Sequence, residues 1–176
     1  MKQQITWLAL GYHVPVNPSK NRVYVWRKLK EFGAGHFKQG VAVLPVGTQS
    51  MAKFSALAAK IRELGGEATL AELKYCDPRD EAAAVEWFEK RSEGEYRELM
   101  RDCADIVRSL RENIFPVSGR GDQIKKINKR YNNARSRDYF KSRSYIDIMR
   151  GIDELLADMA HVTDELMINN NKEEKR

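Results

Sequence analysis

Cysteine is scarce in this chain. Cys76 and Cys103 are the only two, and neither sits in a CxxC pair. That argues against a disulfide framework and for a reducing compartment. Both are expected as small core or helix residues. Histidine is equally thin: His13, His36 and His161 stand far apart with no metal-ligand spacing, and only His13, following a strand, is placed to take part in a site. No run reaches the ~20 apolar residues of a membrane span. The short apolar start around Trp7 lacks the small-residue cleavage site of a signal peptide. Glycine does not build a phosphate loop. Gly33-Ala34-Gly35 precedes a strand instead of opening a helix, and Gly119-Arg120-Gly121 lacks the lysine and serine of a P-loop. These absences point to a cytoplasmic protein that is not an enzyme and uses no metal or cofactor.

Acid is missing where base is rich. Residues 1–66 hold only Glu31 and Glu63 against ten Lys/Arg, a net +8. Residues 67–119 carry −5, residues 120–150 carry +7 and residues 151–176 carry −4. Two basic blocks thus alternate with two acidic ones. They either neutralise one another by packing or present one face to a polyanion.

Taken in order, Ile5–Tyr12 is a nearly uncharged run of strand formers. Pro15 and Pro18 stop it, since neither can donate a ladder hydrogen bond. Ser19, Asn17 or Asn21 can cap a helix, with Val23, Trp26, Leu29 and Phe32 on its inner stripe and Gly33 as its stop. Phe37, Val41 and Val43 read as one bent strand or two short ones around Gly40. Ser50–Leu64 is a helix burying Phe54, Leu57, Ala58, Ile61 and Leu64. Glu67–Tyr75 closes the sheet as a strand with Ala68 and Leu70 on one side. If residues 35–46 hold two strands, the order is that of a ferredoxin-like βαββαβ domain over 1–76. The fold class expected is therefore α+β, with a helical C-terminal extension.

That extension is expected over 77–168 as about three helices, with a disordered tail at 169–176. Asp77-Pro78 reads as a cap and first helical residue. The helix carries Val85, Phe88, Tyr96, Leu99, Cys103, Ile106 and Leu110 inward, with a kink or break at Ser92–Gly94. A second helix, about Gln123–Phe140, has Ile124, Ile127, Tyr131 and Ala134 on one stripe. A third runs about Tyr145–Met167 with Ile148, Ile152, Leu155, Met159, Val162 and Leu166 inward.

Trp7-Leu8-Ala9-Leu10, Val14-Pro15, the run Arg22–Lys30 (RVYVWRKLK) with Gly33, Gly40–Pro45 (GVAVLP) and Leu64-Gly65-Gly66-Glu67-Ala68 together resemble the N-terminal domain of the chromate-resistance regulator ChrB. Ile127 through Arg135-Ser136-Arg137-Asp138-Tyr139-Phe140 is similar to that family's basic helix, which ends in R-D-[FY]-F. The resemblance covers roughly residues 5–150. It implies a transcription regulator of a chromate-efflux operon that binds promoter DNA and responds to chromate or a similar oxyanion. Full-length members carry a further C-terminal domain.

The first seventy residues also resemble the ferredoxin-fold nuclease subunit of CRISPR adaptation, whose first strand ends in a metal-holding aspartate. Here that place reads Tyr12-His13-Val14, without the oxygen ligand a hard cation needs. The reading carried forward is a homodimeric regulator binding double-stranded DNA. Its expected contacts are Arg22, Arg27, Lys28, Lys30, Lys125, Lys126, Lys129, Arg130, Arg135, Arg137 and Arg143. The alternatives are a metal-dependent nuclease of ferredoxin-like fold, or a protein-interaction module without DNA specificity. The basic helix itself either contacts nucleic acid or is a solvated helix whose arginines pair with the acidic helix at 79–113.

Overall fold

A computed structural model of the chain describes residues 4–112, 120–141, 150–155, 157–158 and 161. The fold is mixed α+β, and it divides into two compact units, residues 1–88 and residues 89–176. The first unit holds strands β1 (Trp7–His13), β2 (Gly35–Lys38), β3 (Val41–Pro45) and β4 (Glu67–Leu73) and helices α1 (Ser19–Phe32) and α2 (Thr48–Glu63). The four strands form one antiparallel sheet in the order β2-β3-β1-β4. Residues 35–46 therefore make two strands, not one bent one. The turn between them needs Gly40, at φ +76°, because a Cβ there would sit 3.0 Å from the Tyr12 carbonyl. That approach is used: the Tyr12 amide donates to the Gly40 carbonyl at 2.7 Å.

Directly paired residues share a face of a sheet. Leu8 lies opposite Leu44, and Leu10 opposite Ala42 and Leu70. This apolar face takes the buried sides of α1 and α2, with Val25 and Leu29 from one and Phe54, Leu57, Ala58 and Ile61 from the other. Each of these side chains contributes ~1.5–3 kcal/mol on burial, apart from the single methyl of Ala58, which contributes about 1 kcal/mol. The opposite face carries Trp7, Ala9, Val43 and Gly35. There Trp7 packs on Phe88 at 5.7 Å between ring centroids. A Cβ at Gly35 would come within 3.1 Å of the Phe88 ring, so the strand is bare where the aromatic lies.

The α1 stripe differs from the expected one. Asn21, Val25 and Leu29 are buried at i, i+4, i+8, while Val23 and Trp26 point outward. Val23-Tyr24-Val25-Trp26 is apolar without a gap, so its spacing fits two faces equally. The sheet selects the one that continues through Leu29. No side chain caps this helix; its N-cap is Pro18, whose carbonyl accepts from the Asn21 amide at 3.1 Å. On α2, Leu64 lies just past the last turn and is only half-buried.

Helix α3 (Pro78–Arg111) starts as its sequence suggests, with the Arg79 amide donating to Asp77 Oδ1 at 2.8 Å and Asp80 and Glu81 in the first turn. It does not break at Ser92–Gly94. Arg91–Glu95 and Glu93–Arg97 ion pairs bridge that stretch at i, i+4, and Tyr96 and Leu99 are buried on its inner side. A Cβ at Gly94 would meet nothing within 4 Å. Gly94→Ala is therefore expected to stabilise the protein by about 0.5–1 kcal/mol, read as a higher urea midpoint with unchanged m-value.

The second unit is built on one apolar cluster: Tyr96, Leu99, Cys103 and Val107 of α3, Ile127, Tyr131 and Ala134 of α4 (Arg120–Arg135), and Ile152. Ile152 belongs to a helical stretch at 150–155. Gly151 lets that stretch approach α3, since a Cβ would lie 3.2 Å from Met100. Helix α4 ends at Arg135, short of the expected Phe140. Arg137 and Asp138 leave the helix for bonds to α3: Arg137 Nη2 donates to Glu95 at 2.8 Å, and the Tyr96 hydroxyl donates to Asp138 at 3.3 Å. Asp138 also accepts from the Lys141 amide at 3.1 Å, closing the turn. Of the expected last helix, Ile148, Met159, Val162 and Leu166 lie outside the described residues, as does the tail 169–176.

Candidate nucleic-acid interface

The outer side of α1 is set by its inner one. Opposite Asn21, Val25 and Leu29 stand Lys20, Val23, Arg27 and Lys30, with Trp26 beside them. Arg22 and Arg27 are exposed and make no ion pair among the described residues. The single acid of the helix, Glu31, is taken by Lys28 at 2.8 Å, and this hydrogen bond holds the Lys28 ammonium above its usual range. Lys30 sits over the Trp26 ring, 4.3 Å from its centroid. This side is thus cationic with an apolar centre: Val23 is 45% exposed and Trp26 51%.

Helix α4 sorts its cations by the same geometry. Ile127, Tyr131 and Ala134 face the core. Lys125, Lys129 and Asn132 therefore point directly away, flanked by Lys126, Asn128 and Asn133, all exposed. Lys126 and Lys129 have no acidic partner among the described residues, and Lys125 has only an i, i+3 contact with Asp122 at 3.9 Å. The arginines differ. Arg130 pairs with Asp102 of α3, Arg137 with Glu95, and Arg135 lies over the Tyr131 ring at 5.6 Å. Arg143 lies outside the described residues. With lysines and amides outward and Arg130 and Arg137 tied to the acidic helix, the described part of the second basic block is divided between the two roles its composition allows.

The tied arginines lie in a half-buried cluster. Arg91 and Arg137 share Glu95, at 3.4 and 2.8 Å. Burial pulls the Arg91 guanidinium down, against the opposing pull of Glu95. Burial pushes the Tyr139 phenol up to about 12, although both arginines favour its ionisation. A small cavity of about 240 Å³ beside this cluster is lined by Glu95, Glu98, Arg130, Asn133 and Arg137. Its two carboxylates offset its two guanidiniums, so it offers no excess positive charge to an oxyanion.

The first unit holds a larger groove, about 840 Å³, walled by Phe37, Tyr75, Trp87 and Phe88 over Gly35, Val43 and Leu73. Lys38, Lys74, Asp77 and Asp80 also line it. Sequence reasoning passed over this feature. The signal was Trp87, a large aromatic off the inner stripe of its helix. His13 is exposed at the end of β1, opposite Glu67. Among the described residues no three His, Cys, Asp or Glu side chains converge as metal ligands, and no helix is long and apolar enough to cross a membrane.

The profile of a protein family described as "Protein ChrB, N-terminal" matches residues 22–173. No curated protein and no solved structure gives a significant match.

Proposed function

The chain belongs to the family of ChrB N-terminal domains, and from that premise we propose that it is a DNA-binding transcriptional regulator of a chromate-resistance operon. The observation that carries the reading is the outer face of α4. Three lysines there are free of strong acidic partners, and three asparagines beside them can both donate to and accept from base edges. The exposed cations of α1 add a second positive surface. The protein acts by binding, as a cytoplasmic homodimer, with chromate or a similar oxyanion releasing it from promoter DNA.

The same reading takes the first unit as ferredoxin-like. Its support is the order β2-β3-β1-β4, in which β3 lies between the strands joined by α1, and β1 between those joined by α2. Strands β2 and β4 are the edges of that sheet, available for pairing in a dimer.

Fluorescence anisotropy on the DNA upstream of the protein's own operon tests the proposal, against scrambled DNA, at two salt concentrations, with and without chromate. The expected result is tighter binding to the upstream sequence, with log K falling by ~0.9 per phosphate contact for each tenfold rise in salt. Equal, weak binding to both DNAs would leave the basic surfaces to a protein partner.

A further inference from the structure

We propose that the outer face of α1 binds single-stranded DNA, with Trp26 stacking on an unpaired base. Val23, Trp26, Arg27 and Lys30 fall at i, i+3, i+4, i+7, a single stripe directed away from the sheet. An indole 51% exposed beside a valine 45% exposed is an apolar centre in water, and the charged residues that share its side of α1, Arg22, Arg27 and Lys30, are all positive. Glu31, which could have neutralised them, is held by Lys28. A partner must therefore be polyanionic and also present flat apolar surface at the same spacing. Nucleic acid with accessible base faces has both properties.

The ring geometry separates unpaired bases from a duplex. Lys30 Nζ lies 4.3 Å from the Trp26 centroid and covers one face of the indole. A side chain inserted between two base pairs needs both ring faces free. Stacking on one unpaired base needs only one, and the ammonium behind the ring is then placed to reach a phosphate. Arg22 and Arg27, exposed and without acidic partners among the described residues, supply further phosphate contacts. This inference deepens the DNA-binding reading but shares with it only the cations of α1. It does not use α4.

The test is anisotropy of the full chain with a fluorescein-labelled oligo-dT of about 12 nucleotides, within the span a single-strand groove covers. Trp26→Ala is expected to weaken binding roughly tenfold or more, the worth of one stacked base, while Trp26→Phe stays within about threefold of wild type. Circular dichroism of both variants checks folding. Lys125→Ala, Lys126→Ala and Lys129→Ala combined should change oligo-dT affinity far less than Trp26→Ala does. Equal affinity of wild type and a folded Trp26→Ala, or no measurable oligo-dT binding by wild type, overturns the proposal. If the upstream duplex is bound with preference while Trp26→Ala has no effect on oligo-dT, this inference falls and the regulator reading stands. If the duplex shows no preference but Trp26→Ala loses the oligonucleotide, the regulator reading falls instead.

Discussion

Replacing Lys125, Lys126 and Lys129 together with alanine is expected to weaken binding to duplex DNA by about 10²- to 10³-fold at roughly 0.1 M salt, and to cut the salt slope by about 3. Each phosphate contact releases condensed counterions worth ~0.9 in that slope, so three lost contacts subtract nearly three. The protein itself should keep its stability, because all three side chains are exposed and none supports the core. Arg130 is deliberately left in place. It is joined to Asp102, so its removal would strip an α3 carboxylate of its partner and mix a structural loss with a binding one. Anisotropy across a salt series, with a urea melt on the same variant, separates the two. A folded triple variant that retains wild-type affinity and slope would take the interface off α4.

Glu95→Gln is expected to destabilise the second unit by about 2–3 kcal/mol, less than the 3–5 of a fully buried broken pair because these side chains keep about a quarter of their exposure. Two guanidiniums pair with this one carboxylate, and its loss leaves the like charges of Arg91 and Arg137 acting on each other. Arg137 has little else, since its Nε is buried without a hydrogen-bond partner among the described residues. A fall of roughly 10 °C in melting temperature is the readout, for a unit of this size. The second substitution Arg137→Gln, made in the Glu95→Gln background, should restore part of the loss by removing the repulsion, and the double-mutant cycle isolates that coupling. A shift within a degree or two would mean that water, not Glu95, compensates these arginines.

Both expectations turn on a distinction that net charge does not contain. The sequence puts ten Lys/Arg in residues 120–150 and treats them alike. Which of them meets an acid depends on partners 28 and 42 residues away, Asp102 for Arg130 and Glu95 for Arg137. Composition raised two readings of this block, nucleic-acid contact or pairing with the acidic helix, and the packing gives Arg130 and Arg137 to the second while leaving Lys125, Lys126 and Lys129 open to the first.

Where apolar residues recur every three or four positions with polar ones between, the sequence by itself determined the element and its buried face. Phe54, Leu57, Ala58 and Ile61 on α2, and Ile127, Tyr131 and Ala134 on α4, are such cases, and each is buried. One period fits and the others do not, so burial has a single solution. Tertiary structure decided what local spacing leaves degenerate. Unbroken apolar residues at 23–26 allow two helix faces, and the sheet chose the one through Val25, sending Trp26 to solvent. Gly94 carries a local preference to break that ion pairs and the buried Tyr96 and Leu99 override. Arg137-Asp138 could have continued α4, but Glu95 and Tyr96 offer stronger partners than another helical turn. For α1 and for Arg137-Asp138 the deciding contacts are long-range, and across Gly94 the i, i+4 ion pairs act together with the burial of Tyr96 and Leu99, which outweighs the ~1 kcal/mol or less that a local preference carries.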